Sequence, residues 1–227
     1  MNIANITGYK FTPIDDELLL RETILKYSTD LNLKGTVLIS SKGLNFSVSG
    51  TKKNIDNFIV FIHSDKRFSD VDIKITYNKY QPFRKMLVRI KKEIISMGVE
   101  EINPFQFTGQ KISPKELNNK LDNNEEIVLL DTRNEYEVRL GTFKNALDLD
   151  LDSFRDFPEE IEKLREELNG KEVVMFCTGG IRCEKASALM LENGFENIKQ
   201  IEGGVINYFK ETGGKHWNGD CFVFDDR

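Results

Sequence analysis

The chain has 227 residues, 39% hydrophobic and 30% charged, which are globular proportions with room for one large domain or two ordinary ones. No apolar run is long enough to cross a membrane, three cysteines do not make a disulfide framework, and no Cys/His pairing has zinc spacing. The net charge of -5 divides unevenly: 16 Lys+Arg face 12 Asp+Glu in residues 1–108, and 16 face 25 in residues 109–227, so the front half suits an anionic partner.

Met1–Asn5 carries neither a basic n-region nor an apolar h-region, so a cytoplasmic protein without a secretory signal is expected. A strand is expected within Asn5–Phe11, then a helix with Leu20, Ile24, Tyr27 and Leu31 at helical spacing. Gly35–Ser40 is β-branched and apolar, Ser41-Lys42-Gly43 reads as a turn, and Leu44–Val48 alternates as a half-buried strand. Thr51 is placed to cap a helix whose Ile55, Phe58, Ile59 and Ile62 share one face, and Val71–Tyr77 alternates again. The order β-α-β-β-α-β predicts a ferredoxin-like (acylphosphatase-like) α+β sandwich over residues 1–95.

The stretch Lys79–Lys92 has six basic residues and no acidic one. As a strand, Lys85–Lys91 would put Met86, Val88 and Ile90 on one face, and Lys85, Arg89 and Lys91 with Leu87 on the other. Lys79, Arg84, Lys85, Arg89, Lys91 and Lys92 are candidate phosphate contacts, with Tyr80 and Phe83 near enough to stack bases. The same residues also fit a solvated sheet edge guarded by lysines.

Residues 96–112 look like a linker, with Gly98, Pro104 and Gly109 and little periodicity. Ser113-Pro114-Lys115-Glu116 is a helix start with a capping serine and a proline in the first turn. Ile127–Leu130 is a buried-strand candidate ending at Asp131-Thr132-Arg133. A helix is expected around Phe157–Leu168, then strands at Val173–Phe176 and Ile198–Ile201. Strands alternating with helices predict an α/β domain with a mostly parallel sheet over 113–213, followed by a tail, 214–227, packing on the domains through Trp217, Phe222 and Phe224.

The most informative segment is Val173–Cys183. An apolar strand ends in Cys177, and the loop Thr178-Gly179-Gly180-Ile181-Arg182 leads into a helix. A strand–loop–helix of this kind aims several N–H groups at one point and stabilises an anion. Cys177 is therefore expected to be a thiolate near neutral pH, with Arg182 supplying a fixed charge. Cysteine phosphatases place five residues between Cys and Arg, usually with His before the Cys. Here four intervene and Phe176 precedes, so a tighter ring should favour a sulfur-sized group over phosphate. Cys183 is a candidate resolving thiol or a packed residue at a helix start, and Cys221 is a packed tail residue.

Asp131-Thr132-Arg133, Glu135-Tyr136-Glu137, Gly141, the Cys177–Arg182 loop and Glu202-Gly203-Gly204 together resemble a rhodanese domain over about residues 110–213. That resemblance implies that Cys177 carries a persulfide or acts as a related nucleophile, and that Asp131 and Arg133 are structural or line the rim. A narrower resemblance covers nearly the whole chain. The front domain, Phe83–Ile94, the loop Cys177–Lys185 and Trp217–Asp225 are similar to the bacterial rhodanese-domain tRNA uridine hydroxylases. Many members of that family continue past the Cys-Phe-Val-Phe-Asp segment, and the sequence in hand ends at Arg227.

The resemblance implies conversion of the wobble uridine to 5-hydroxyuridine with molecular oxygen as co-substrate and no metal or flavin. It implies tRNA as the partner through its anticodon arm, Cys177 as the catalytic residue, and Cys183, Lys185, Asp131 and Arg133 as accessory residues. Only the loop mouth near Arg182 and Lys185 should face RNA, because the acidic half repels it elsewhere. Two alternatives remain open from the residues: a sulfurtransferase carrying a persulfide, and a non-catalytic tRNA-binding rhodanese module.

Overall fold

A computed structural model describes residues 3–221, and the chain divides into two compact units at Ile95/Ser96. The first unit runs β1 (Ile3–Phe11), α1 (Glu17–Asp30), β2 (Lys34–Ser40), β3 (Gly43–Thr51), α2 (Lys52–Ser64), β4 (Lys74–Asn78) and β5 (Met86–Ile90). The sheet order is β4-β1-β3-β2-β5, antiparallel except where β5 joins β2 in parallel. This is the expected α+β sandwich with one extra edge strand.

Alternation along the strands sorts the side chains of this sheet. Ala4, Ile6, Val37, Ile39, Leu44, Phe46 and Val48 form one core with Ile24 of α1 and Ile55, Phe58 and Ile62 of α2. Thr51 starts α2 as foreseen, its side chain accepting from the Asn54 N–H. Gly35 and Gly43 let backbones close in on one another. A Cβ on Gly35 would stand 2.1 Å from the Ser47 carbonyl oxygen, and one on Gly43 2.3 Å from that of Lys10.

The second unit runs β6 (Gln110–Ile112), α3 (Pro114–Asp122), β7 (Ile127–Asp131), α4 (Glu135–Val138), β8 (Gly141–Phe143), β9 (Leu147–Asp148), α5 (Phe157–Lys163), α6 (Arg165–Leu168), β10 (Glu172–Phe176), α7 (Ile181–Glu192), β11 (Ile198–Ile201), α8 (Gly204–Thr212) and β12 (Trp217–Gly219). Its main sheet, β6-β11-β10-β7-β9, is parallel throughout, with β10 at the centre. Cys177 follows β10 at the carboxyl end of that central strand, where open parallel sheets place their sites.

Three details differ from the sequence reading. Residues 110–112, expected in a linker, form edge strand β6, in register with Lys199–Ile201 of β11. Thr108 and Gly109 before it are also fixed, through the Ser187 side chain. The helix expected over Phe157–Leu168 breaks at Leu164, whose N–H closes on the Ile161 carbonyl in a tighter turn. The tail adds β12, antiparallel to β8, and Trp217 meets the rings of Phe143, Phe176 and Phe209 edge-on at 5.2–6.2 Å. Phe222 and Phe224 lie outside the described residues.

Candidate active site

The site is built on the turn between β10 and α7. Val173 to Phe176 are fully buried, so the strand is held on both faces, and Cys177 ends it with 1% exposure. Gly180 has φ +98 and caps α7, a conformation that a side chain would strain. That turn brings the Gly180 N–H to 3.1 Å from Cys177 Sγ, to which it donates.

Burial alone would push the Cys177 thiol up. The hydrogen bond from the Cys183 side chain, the Arg182 charge and the backbone N–H groups of Cys183 and Arg182 outweigh it and hold Cys177 at about 5. Cys183 moves the other way. Its own burial, then the hydrogen bond and charge of Cys177, raise it well above an ordinary thiol. At neutral pH one sulfur is a thiolate and the other a proton-bearing donor to it. Thr132 Oγ1 lies 3.6 Å from Cys183 Sγ and donates to the Phe176 carbonyl at 2.9 Å, tying the end of β7 to this pair.

Arg182 and Lys185 were expected at an exposed loop mouth. Both are buried, with 4% and 3% exposure, because α7 packs into the unit at its first turn. Arg182 is bound by Glu137 of α4, with Nη1 to Oε2 at 2.5 Å and Nη2 to Oε1 at 2.8 Å. Oε1 also accepts from Thr178 Oγ1, and Oε2 from the Asn134 N–H. Four hydrogen bonds thus saturate a carboxylate that is 0% exposed, which makes burying the pair tolerable. Glu137 was visible in the sequence only as part of a motif. Its pairing with Arg182 joins residues 45 positions apart. Arg182, its fork held by Glu137, thus acts on Cys177 through its charge and by hydrogen bonding from its side chain and its backbone N–H.

Asp131 and Arg133 are both fully buried and bind each other, through Nε at 2.9 Å and Nη2 at 2.6 Å. Arg133 Nη2 also donates to the Gly141 carbonyl on β8, and its guanidinium lies 4.9 Å over Trp217. The pair is thus a brace between β7, β8 and the tail strand, placed behind the loop. Cys221 packs against the cluster that contains Phe176.

A second support comes from α8. The Val205 and Ile206 N–H groups donate to the carbonyls of Cys177 and Thr178 at 2.9 and 3.1 Å. Gly204, with φ +67, makes this possible. A Cβ there would stand 2.6 Å from the Cys177 oxygen and 2.7 Å from the Gly180 nitrogen. The α8 N-terminus thus turns the loop carbonyls toward itself and away from the sulfur. The Gly203-Gly204 pair was legible as a motif, but the reason for it is this close approach.

Lys79, Arg84, Lys85, Arg89, Lys91 and Lys92, the candidate phosphate contacts, are all exposed on the first unit. Among the described residues no group of His, Cys, Asp or Glu is placed to hold a metal, and no helix is long and apolar enough to cross a membrane.

Residues 3–94 match the family model described as UPF0176 acylphosphatase like domain, and residues 113–211 match the Rhodanese-like domain. A tRNA uridine(34) hydroxylase of Cupriavidus taiwanensis is 44% identical over 232 residues, spanning 100% of this chain and 82% of that one. Its counterpart in Bordetella avium is 43% identical, spanning 100% and 96%. The chain belongs to the tRNA uridine(34) hydroxylase family. Within that family the geometry described above assigns the depressed thiol to Cys177 and its immediate proton donor to Cys183. Glu137 and Gly204 support the loop beneath them.

Proposed function

We propose that this protein hydroxylates the wobble uridine of tRNA to 5-hydroxyuridine, with molecular oxygen as co-substrate and Cys177 as the reacting sulfur. The observation that carries this reading is the near-complete overlap with curated tRNA uridine(34) hydroxylases in a chain whose loop holds a thiol at about 5. A thiolate adds to electron-poor carbon, and addition at uracil C6 makes C5 electron-rich toward an oxidant. The overall change takes one oxygen atom into the C5–H bond. The second oxygen atom leaves as water, with two protons and two electrons drawn from a thiol reductant that becomes a disulfide. Should Cys177 be oxidised to a sulfenic acid, Cys183 lies in contact to resolve it, forming the disulfide and releasing water.

The tRNA approaches through its anticodon arm. Lys79, Arg84, Lys85, Arg89, Lys91 and Lys92 contact its backbone phosphates, and the reaction takes place in the cytoplasm.

A persulfide on Cys177 serving a sulfurtransferase is the competing reading, because the same N–H ring would stabilise it. Nucleoside mass spectrometry separates the two, using tRNA from cells with and without the protein grown under isotopically labelled oxygen. We expect labelled 5-hydroxyuridine that disappears with the gene. A thiolated nucleoside without label would overturn the hydroxylase reading.

A further inference from the structure

The segment before β6 displays two phenylalanines that the second unit does not bury. Ile102, Pro104 and Gly109 are buried, whereas Phe105 is 54% exposed and Phe107 39%, with the exposed Gln106 between them. The segment is fastened at both ends. At one, Asn103 accepts the Phe105 N–H on its side-chain oxygen and the Gln106 N–H on its carbonyl, a turn that asparagine favours. At the other, Thr108 Oγ1 donates to the Glu184 carbonyl at 3.0 Å and accepts from Gln200 Nε2 at 2.9 Å. The Gly109 N–H donates to Ser187 Oγ at 2.8 Å. Rings held between such anchors lose little freedom when something settles on them.

Charge sets this segment apart from the rest of its unit. Residues 102–115 hold no Asp or Glu, the longest such run in residues 96–223, and the next longest is 173–183, the reactive loop with its strand. The fold joins the two runs. Thr108 and Gly109 dock on α7, the helix that opens at that loop, and Glu184 lies only about 4.5 Å along its axis from the first helical residue. The carboxylate at this junction, that of Glu184, is buried and bound by Gln200 Nε2 and Lys111 Nζ, each at 3.2 Å. In a unit rich in acids, the approach to Cys177 and the Phe105–Phe107 display thus share an acid-poor flank.

The residue types select the partner. Two rings separated by an amide, with Asn103, Thr108 and Gln110 around them, do not make the contiguous apolar patch that a protein interface buries at its centre. An unpaired base offers an apolar face and a polar edge, which a phenyl ring and a carboxamide meet in turn. The absence of carboxylates matters for this partner above others, because its backbone is a polyanion.

We propose that Phe105 and Phe107 are a stacking platform for unpaired bases of the tRNA substrate flanking the uridine at the Cys177 loop, with Gln106 turned to a base edge. The inference rests on the tRNA reading above and extends it, since it places an RNA contact on the second unit, outside the basic 79–92 stretch. Stacking is electrically neutral, so the platform adds affinity that salt does not screen.

The experiment measures binding of the full chain to an unmodified tRNA transcript over a salt series. A Phe105→Ala/Phe107→Ala double variant should bind about tenfold more weakly at every salt concentration, with the slope of log affinity against log salt unchanged, because no counterion is involved. Phe105→Trp/Phe107→Trp keeps both rings and should bind within about threefold of wild type. On an anticodon-arm hairpin whose loop nucleotides lack their bases, the alanine variant and the wild type should bind alike. Alkylation of Cys177 at wild-type rate verifies folding in each case. Should the double variant fail that check, Phe105→Ala and Phe107→Ala decide singly, each expected to lose about threefold. Wild-type tRNA affinity in the folded alanine variants overturns the platform but leaves the tRNA reading standing. So does a wild-type chain that self-associates in sedimentation while the alanine variant stays monomeric with full tRNA affinity, which assigns the rings to a contact between copies. A wild-type chain that binds no tRNA overturns the tRNA reading itself.

Discussion

The two units handle charge in opposite ways. The first displays it: Lys79, Arg84, Lys85, Arg89 and Lys91 stand exposed beside an acid-free sheet. The second internalises it: Arg133 is locked to Asp131 and Arg182 to Glu137, each with a fully buried carboxylate. A displayed cation attracts a mobile anion and is weakened by salt. An internal ion pair cannot be reached by either, and so fixes the reactivity of one sulfur. The difference teaches that binding and chemistry are supported by separate sets of charges, so each should be removable without the other.

The largest test of that separation is Cys177→Ala. We expect nucleoside mass spectrometry to find no 5-hydroxyuridine formed, while tRNA affinity stays at the wild-type value. Lost affinity on removing that sulfur would break the comparison. The pH dependence of Cys177 alkylation comes next. With the thiol at about 5, its reactivity should rise through that pH and be flat above about 6, the thiolate being the attacking form. At pH 6 its thiolate fraction should exceed that of an ordinary cysteine of pKa ~8.5 by roughly 300-fold. A midpoint near 8 would show that the internal charges do not act on the sulfur.

Glu137→Gln should leave Arg182 buried without its counter-charge. Denaturant unfolding should register a loss of about 3–5 kcal/mol, with the exposed cations still binding RNA. Gly204→Ala is milder. It places a side chain at φ +67 against the loop backbone, at a cost of about 1–3 kcal/mol, and should move the Cys177 alkylation midpoint upward as the loop shifts. An unchanged midpoint would remove α8 from the machinery. Smallest of all is Arg89→Ala, expected to weaken tRNA binding a few-fold and reduce the salt slope by roughly one, without touching alkylation.

What could be read in advance follows from the range of each interaction. The β-α-β-β-α-β order was legible because alternation and helical spacing are local, as with Phe46 and Val48 or Ile55 and Phe58. The thiolate loop was legible because Gly179, Gly180 and Arg182 are neighbours of Cys177. Edge strand β6 was not. Three residues carry too little periodicity, and Gln110–Ile112 become a strand by pairing with β11, some 90 positions on. Arg182 and Lys185 looked like surface cations because their type usually is. Their burial depends on packing of α7 and, for Arg182, on a carboxylate 45 residues away.

Strand β5 has one consequence for motion. Among the described residues it is hydrogen-bonded on one side only, to β2, from which it is separated by α2 and two strands in the chain. An edge strand held by distant pairing opens before the centre of its sheet. In hydrogen–deuterium exchange, the amides of Met86–Ile90 should therefore label ahead of those of β1 and β3. Added tRNA should slow them more than any other strand of that sheet, so the strand carrying Arg89 doubles as a reporter of occupancy.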